Sequence, residues 1–368
     1  MSIERSPGAE LACVLARQFK VERVVPVGRA ALGLQILLEY WRERRGVCRV
    51  ALPGAICHEV VVAVLAAGCE PIFCDVDPTD GLVTSLEWSR ARSLGAEVAL
   101  VVHLYGNVAD LELVRKIFST PNCLVIEDAA QALGSHGKAY MAGAGGDVSL
   151  LSFGPTKHIS VGNGALLFKS GQMAEEVSAR LCGKIPQRKA VRDSLAAAFR
   201  ARLEIARARL RVPGADPVEG FAGLLEGLEP LLAVPFSAEA ESLTVRALAG
   251  YARAAQLRVE KKELWSVGLA GTGLEPVGMG EGCVPWRYAC RLPGFGWQEQ
   301  HRAAEALRSA GLHVSNWYLP AHWFLGKPAA ALPGVEQLAR EVFQFWLDEN
   351  ATPGLIVREC AIVRRVMS

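Results

Sequence analysis

Two side chains that could act on one ligand, the carboxylate of Asp128 and the amine of Lys157, follow two short apolar runs of the sequence. The first run covers residues 123–126 and the second covers residues 148–153. Runs of this length and composition are typical of buried strands. In open α/β sheets, ligands bind outside the carboxyl ends of the strands, so the acid and the amine could meet in one crevice.

An acid and an amine acting on the same ligand suggest pyridoxal phosphate (PLP) as a cofactor. PLP is held by a lysine as a Schiff base, and an aspartate keeps its ring nitrogen protonated. Charge withdrawn from the substrate can then flow into the ring. Lys157 and Asp128 are the candidate catalytic residues for these two roles.

The segments around both residues resemble those of the DegT/StrS-type sugar aminotransferases, a family of fold-type I PLP-dependent enzymes. The matching segments are Glu-Asp-Ala-Ala-Gln at 127–131 and Ser-Phe-Gly-Pro-Thr-Lys at 152–157. The resemblance implies that Gln131 bonds the phenolic oxygen of the cofactor, that Ser152 bonds its phosphate, and that Lys157 is the Schiff-base lysine.

A second candidate contact with the phosphate lies near the start of the chain. A predicted strand, 24–27, runs into Gly28, and helical periodicity begins at Ala30. A helix start presents free N–H groups and the positive end of the helix dipole, which together favour an anion. In the resembled family the PLP phosphate docks here, usually on a Gly-Thr or Gly-Ser pair. This sequence has Arg29 instead, which is predicted either to contact the phosphate or to lie on the solvated surface.

The resemblance also implies a flat side chain that covers the cofactor ring. It is expected a few residues after the proline that corresponds to Pro53, and strict spacing gives Cys57, with His58 as its neighbour. Either residue could cover the ring. A histidine that caps the helix or faces solvent is an equally good interpretation of His58.

Strand-like and helix-like segments alternate through the first half of the chain. The predicted strands are 24–27, 48–52, 71–76, 98–104, 123–126, 148–153 and 165–168, and the predicted helices are 9–19, 30–44, 59–67 and 86–93. Repeated βα winding predicts an α/β fold with a mostly parallel sheet covered on both faces. With the resemblance, it implies a fold-type I PLP-dependent transferase: a large domain with a mostly parallel sheet of the seven-stranded type, plus a smaller C-terminal α/β domain.

The predicted domain boundary lies between residues 242 and 243. Residues 1–242 are assigned to the large PLP-binding domain, in which 171–242 is a divergent and mostly helical segment. Residues 243–368 are assigned to a connecting helix and the small domain, and the segment 243–248 is predicted to lead into this long helix, which reaches Leu264. The aromatic run at 317–322 resembles the family's segment near the substrate entrance, although it could also be an ordinary core or interface patch.

The divergent segment contains a basic amphipathic helix at 192–212. Its apolar residues repeat at helical spacing, and arginines cover the remaining surface. Packing on its own subunit or on a partner is one interpretation, and docking to an anionic substrate or a membrane surface is the other. Family members usually carry an Asn-x-Arg-Met segment that contacts the partner subunit's phosphate. Here only a remnant at 243–248 is found, and Arg29 could compensate for the lost asparagine.

Composition excludes several other classes of protein. The 368-residue chain is 51% hydrophobic, 21% charged and carries a formal charge of +2, so nucleic-acid binding is not expected. Ten cysteines without paired spacing favour reduced thiols in the cytoplasm. Apolar runs are too short for a transmembrane segment, and the histidines lack the close spacing of a metal site.

These features predict an aminotransferase that works as a homodimer. The resemblance implies glutamate as the amino donor and a nucleotide-linked keto sugar as the acceptor, in polysaccharide or natural-product biosynthesis. One alternative keeps PLP and changes the reaction to dehydration or elimination, or takes a non-sugar substrate. Some dehydrating relatives have a histidine at the lysine position, and Lys157 argues against that version. The other alternative is a degenerate, non-catalytic protein with a regulatory or assembly role.

Overall fold

A seven-stranded sheet forms the centre of the larger part of the protein. The computed structural model describes residues 7–212, 216, 218–326 and 331–367. The strands of this sheet are β1 (Arg23–Val27), β2 (Arg49–Pro53), β3 (Glu70–Cys74), β4 (Val98–Val102), β5 (Leu124–Asp128), β6 (Val148–Ser152) and β7 (Gly164–Phe168).

The strands lie in the order β1-β7-β6-β5-β4-β2-β3. Strands β3, β2, β4, β5 and β6 are parallel to one another, whereas β7 is antiparallel to both β6 and β1. The prediction of a mostly parallel sheet is therefore confirmed. The short connection at 153–163 explains the exception, because antiparallel neighbours can be joined without a crossover helix.

Eight helices belong to this part of the described chain. They are α1 (Ala9–Phe19), α2 (Ala30–Arg45), α3 (His58–Ala66), α4 (Ser85–Ser93), α5 (Leu111–Ile117), α6 (Gly171–Cys182), α7 (Lys189–Arg209) and α8 (Ala238–Ala249). Side chains along each strand alternate between two cores, as the period of two requires. In β4, Val98 and Leu100 join the core that contains α2 and α3, while Ala99 and Val101 join the core formed with α4 and α5.

The remaining elements form a smaller antiparallel sheet and the helices that cover it. They are α9 (Tyr251–Leu269), β8 (Glu275–Pro276), β9 (Tyr288–Arg291), α10 (Trp297–Ser309), β10 (Val314–Ser315), α11 (Pro333–Glu341), β11 (Val342–Phe345) and α12 (Pro353–Met367). The strand order is β10-β11-β9-β8. Trp265 of α9 stacks on Phe345 with ring centroids 4.4 Å apart, which anchors α9 to this sheet. The boundary at 242/243 stays a prediction, and it falls within α8.

Two predicted helices of the divergent and connecting segments are present. The predicted basic helix corresponds to α7, and its Phe199, Leu203 and Ala206 are buried in the core of the same chain. The long helix predicted to follow 243–248 and reach Leu264 corresponds to α9, and residues 243–248 belong to a separate helix, α8, because the two are separated at Gly250. Glycine lowers helix stability relative to other residues, and this one ends α8 and starts α9.

The cysteines, the potential metal ligands and the helix lengths can be compared with the expectations from composition. All ten cysteines are free thiols. Among the described residues, no group of three or more histidine, cysteine or acidic side chains is placed to hold a metal ion. None of the described helices combines the length and the apolarity that crossing a membrane requires.

Candidate active site

Asp128 and Lys157 follow neighbouring parallel strands, at the same edge of the large sheet. Strands β5 and β6 pair in parallel with Asp128 opposite Leu150, and Lys157 lies in the loop after β6. Asp128 is 8% exposed, and its Oδ1 accepts a hydrogen bond of 2.9 Å from the Ala130 N–H. Burial raises the pKa of Asp128, and the positive charge of Lys157 opposes this shift. The structure therefore brings the predicted acid and amine within electrostatic range.

The Lys157 ammonium lies over the indole of Trp286, with Nζ 5.4 Å from the ring centroid. The indole is fixed by its own hydrogen bond, since Nε1 donates to the Thr156 carbonyl at 2.6 Å. No carboxylate within the described ranges forms a salt bridge with Lys157. The amine is thus held by an aromatic surface beside a cleft of about 610 Å³ that Lys157 lines.

The start of α2 and the end of β6 converge on Gly164. This glycine pairs with both Val27, at the end of β1, and Ser152, at the end of β6. A Cβ atom on Gly164 would lie only 2.9 Å from the backbone nitrogen of Ala30. The first turn of α2 has no side-chain cap, because the N-cap residue is Arg29 and arginine has no acceptor atom. Uncapped N–H groups at a helix start form a site suited to an anion, and Ser152 pairs with the glycine that lies against this start.

Gly28 permits the close approach that this turn requires. A Cβ atom there would lie 2.0 Å from the carbonyl oxygen of Val234, so any side chain would collide with backbone. Val27 and Ser152 both pair with Gly164, so the predicted phosphate residues Gly28 and Ala30, which follow Val27, lie at the same edge of the sheet as Ser152. Their contact with a phosphate stays a prediction.

Arg29 forms an ion pair with Glu59, in the first turn of α3. Each of these two side chains is 30% exposed. The guanidinium therefore shares its charge with a carboxylate at a partly exposed position, and its contact with a phosphate stays a prediction. Sequence reasoning missed Glu59, because nothing in the local pattern of α3 indicates a partner on α2.

The side chains of Cys57 and His58, at the start of α3, lie in different environments. Burial raises the pKa of the Cys57 thiol to about 11, Glu59 adds to this effect, and Lys157 opposes it. The His58 ring packs on Phe199 of α7, with centroids 4.5 Å apart, and burial lowers its pKa. Cys57 is therefore the neighbour of Lys157 and Asp128, while His58 is covered by the divergent helix.

Gln131 joins the large sheet to the aromatic run at 317–322. Its Oε1 accepts a hydrogen bond of 2.9 Å from the Tyr105 N–H, and its Nε2 donates one of 2.7 Å to the Tyr318 hydroxyl. Both ends of the amide are thus engaged with protein groups. The predicted bond to a phenolic oxygen stays a prediction, and Tyr318 is a residue of the site that the motif alone did not identify.

A family model describes the same region of the chain. The DegT/DnrJ/EryC1/StrS aminotransferase family matches residues 9–208 of the 368. The chain belongs to this family. The match confirms the resemblance drawn from 127–131 and 152–157. It also continues into α7, so residues 171–208 of the segment described as divergent fall within the family match.

Individual DegT/DnrJ/EryC1/StrS relatives match shorter segments. A "Pleiotropic regulatory protein" of Geobacillus stearothermophilus is 32% identical over 116 residues, 31% of this chain and 31% of that protein. A "GDP-perosamine synthase" of Escherichia coli O157:H7 is 33% identical over 107 residues, 29% of each chain. The chain thus matches about a third or less of the length of these curated relatives.

A solved structure shows the same fold over nearly the full length. The PLP form of a putative sugar aminotransferase from Streptococcus pneumoniae superposes with a TM-score of 0.77 at 16% identity. The alignment covers 99% of this chain and 92% of that one. The predicted fold class is therefore confirmed.

This family member also contains a buried acid that sequence reasoning did not single out. Glu127 is fully buried and accepts hydrogen bonds from His103, from the Ser149 hydroxyl, and from three backbone N–H groups in 143–146. Burial alone would raise its pKa, but the bonds from His103 and the other donors outweigh it and hold the pKa at about 2. The Gly-Ala-Gly-Gly sequence at 143–146 is a signal for such a turn, since small residues let several N–H groups converge.

Proposed function

We propose that this family member is a PLP-dependent aminotransferase that moves an amino group, from glutamate, to the keto group of a nucleotide-linked sugar in polysaccharide or natural-product biosynthesis. The observation that carries the proposal is the placement of Asp128 and Lys157 after adjacent parallel strands, beside an uncapped helix start. Membership of an aminotransferase family supports it, as does a relative named GDP-perosamine synthase.

The residues at this sheet edge fit the predicted cofactor, PLP. The buried Asp128 carboxylate accepts a hydrogen bond from the Ala130 N–H. It accepts none from a cationic side chain of the described residues. A protonated ring nitrogen is a partner of the right charge for it. Ser152 and the first N–H groups of α2, near Gly28 and Ala30, have the chemistry that holds a phosphate.

Each residue then has a separate task. PLP, when bound, supplies an electron sink for the charge left when the substrate carbon loses a proton. Asp128 would keep a negative charge at the ring nitrogen; burial raises its pKa, and a positive partner favours its ionised form. Lys157, as a free amine, would take the proton from the amine-bearing carbon of the donor and return it later as a general acid. Cys57, within electrostatic range of both groups, is the proposed cover of the ring.

The visible spectrum of the PLP-loaded protein tests this proposal. Glutamate should bleach the yellow colour, and the correct keto acceptor should restore it. A panel of amine donors, including glutamine, followed by a panel of keto sugars with and without a nucleotide, would identify both substrates. A protein whose colour no amine changes would contradict transamination and favour dehydration, elimination or a non-catalytic role.

The proposal includes a cytoplasmic homodimer. Ten free thiols, six of them buried, suit a reducing compartment. The resemblance implies the dimer. Size-exclusion chromatography with light scattering would decide it, and a monomer at micromolar concentration would contradict it.

A further inference from the structure

A cleft separates the C-terminal half of α7 from α10. Its volume is about 380 Å³, within the range of roughly 300–1,000 Å³ that is usual for small-molecule sites. It is lined by Glu204, Arg207, Leu210, Arg211, Trp297, Gln300, His301, Glu305, Arg308, Asn316 and Leu319. We name it the α7–α10 cleft.

Arg207 is a half-buried cation of this cleft. Its guanidinium lies over the Trp317 ring, 5.0 Å from the centroid. No hydrogen bond or salt bridge joins its side chain to another described residue. Burial, together with the charge of Arg308, lowers the pKa of Arg207 to about 10, and the nearby Glu204 carboxylate opposes this shift. A partly desolvated charge that no hydrogen bond satisfies is costly, and a bound anion would offset part of that cost.

The other cations of the cleft are oriented by neighbouring groups. Arg308 donates to the Asn316 side chain at 2.9 Å and to the Val314 carbonyl at 3.2 Å. Arg211 lies 3.8 Å from Glu305, and that carboxylate is also 3.2 Å from His301. Glu305 is therefore shared between the Arg211 guanidinium and the His301 ring, whose pKa burial lowers.

The burial of α7 excludes the membrane interpretation of this helix. An amphipathic helix binds a bilayer through its apolar face. In α7 that face consists of Phe199, Leu203 and Ala206, which are buried against the core. A small anionic ligand is therefore the partner that suits the cations near its C-terminal end.

The cleft adjoins the candidate active site through residues 316–319. Asn316 and Leu319 line the cleft, while the Tyr318 hydroxyl accepts a hydrogen bond from Gln131. The Trp317 ring, on which the Arg207 guanidinium packs, also packs edge to face against the His58 ring, with the two centroids 5.9 Å apart. One substrate could therefore reach from the Lys157 region to the arginines.

We propose that the α7–α10 cleft binds the diphosphate group of the acceptor substrate, with Arg207 as its principal ligand. This inference rests on the proposed function for the identity of the acceptor. A planar guanidinium binds phosphate oxygens through paired hydrogen bonds, and Arg308 and Arg211 add positive charge beside it. The family match ends at residue 208, within this cleft, so the site is assigned from the contacts of this chain.

Binding can be measured separately from catalysis. Isothermal titration calorimetry of the PLP-loaded protein with inorganic pyrophosphate should detect binding that weakens as salt rises. Arg207→Gln should weaken it at least tenfold, while Arg207→Lys should keep part of the affinity. Arg200→Gln is the matched control, since Arg200 is an exposed residue of the same helix, and it should bind like the wild type. Equal affinity in the wild type and in Arg207→Gln, or no binding to the wild type, would overturn the proposal.

A kinetic arm distinguishes this inference from the proposed function. In Arg207→Gln, KM should rise at least tenfold for a keto sugar that carries a diphosphate and stay unchanged for the same sugar without it. The bleaching by the amino donor should be unaffected. A protein that binds pyrophosphate through Arg207 but is bleached by no amine would refute the transaminase and leave the anion site standing. A KM rise for both sugars would assign Arg207 a structural role instead.

Discussion

His103 and Glu127 form a fully buried hydrogen bond, with Nε2 and Oε1 2.8 Å apart. The other ring nitrogen, Nδ1, accepts the Ala109 N–H at 3.1 Å, so Nε2 carries the proton and donates it to Glu127. Successive side chains of a strand point to opposite faces, and Glu127 is next to Asp128 on β5. Fixing Glu127 therefore fixes the backbone from which Asp128 projects.

Glu127→Gln should destabilise the fold by about 3 kcal/mol, because the neutral amide replaces a charge that five donors surround. The amide NH₂ would also face donors, which leaves buried N–H groups unpaired. Urea unfolding at neutral pH measures the change. Glu281→Gln, at an exposed position, is the control and should leave the unfolding midpoint unchanged. A wild-type midpoint in Glu127→Gln would contradict the anchoring role.

The same carboxylate predicts an acid dependence of stability. Its pKa falls from an ordinary 4.5 to about 2 in the folded protein, so its contribution is fully present above about pH 4.5 and is lost as pH falls toward 2. That difference corresponds to roughly 3 kcal/mol, at about 1.4 kcal/mol for each pKa unit. Unfolding midpoints measured between pH 6 and pH 3 should fall more steeply for the wild type than for Glu127→Gln. Parallel curves would assign the acid sensitivity to other carboxylates.

Lys157→Ala should abolish turnover and leave the fold intact, since Lys157 lies in a loop and its ammonium rests on the surface of Trp286 without a salt bridge to any described residue. Borohydride reduction of the PLP-loaded wild type should attach the cofactor to one lysine, and mass mapping of peptides identifies it. Lys138→Ala serves as the control, because Lys138 lies outside the candidate site. A label on any residue other than Lys157 would refute the assignment.

Asp128→Asn should retain the cofactor and lose several orders of magnitude in turnover. A neutral amide cannot balance the charge of a protonated ring nitrogen, so the ring withdraws electrons less effectively. Because the Ala130 N–H can still bond the amide oxygen, the strand end should be preserved. Steady-state kinetics and cofactor absorbance on the same sample check both parts. Near-normal turnover would reduce Asp128 to a strand-end cap.

Local pattern was sufficient to predict the sheet and the residues at its edge. Apolar runs such as 98–102 predict buried strands, and in the structure Val98 and Leu100 point to one face of the sheet while Ala99 and Val101 point to the other. The motifs at 127–131 and 152–157 place Asp128 and Lys157 after neighbouring strands. Contacts between elements could not be predicted in this way. Glu59, the partner of Arg29, lies on α3, and Tyr318, one of the two partners of Gln131, lies in the aromatic run at 317–322; the sequence carries no spacing rule for either contact.

Arg29 is where this chain differs from the family pattern, and its ion pair with Glu59 sharpens the test. If the guanidinium binds the PLP phosphate, Arg29→Ala removes a charge-assisted bond of roughly 1.5 to 3 kcal/mol, and cofactor affinity falls about tenfold or more. Arg29→Lys should recover only part of it, since a point charge lacks the planar fork. Glu59→Gln should then raise the affinity, because it releases Arg29 from a competing carboxylate.

A structural role of the pair predicts a different outcome for the same variants. If Arg29 and Glu59 only hold the starts of α2 and α3 together, then Arg29→Ala and Glu59→Gln should lower the unfolding midpoint alike and leave PLP affinity unchanged. The double variant separates the two, because a shared interaction makes the effects on stability non-additive. Fluorescence titration with PLP and urea unfolding of all four proteins give both quantities. Opposite effects of the two single variants on cofactor affinity would assign Arg29 to the phosphate, since only a competing anion makes the loss of Glu59 favourable.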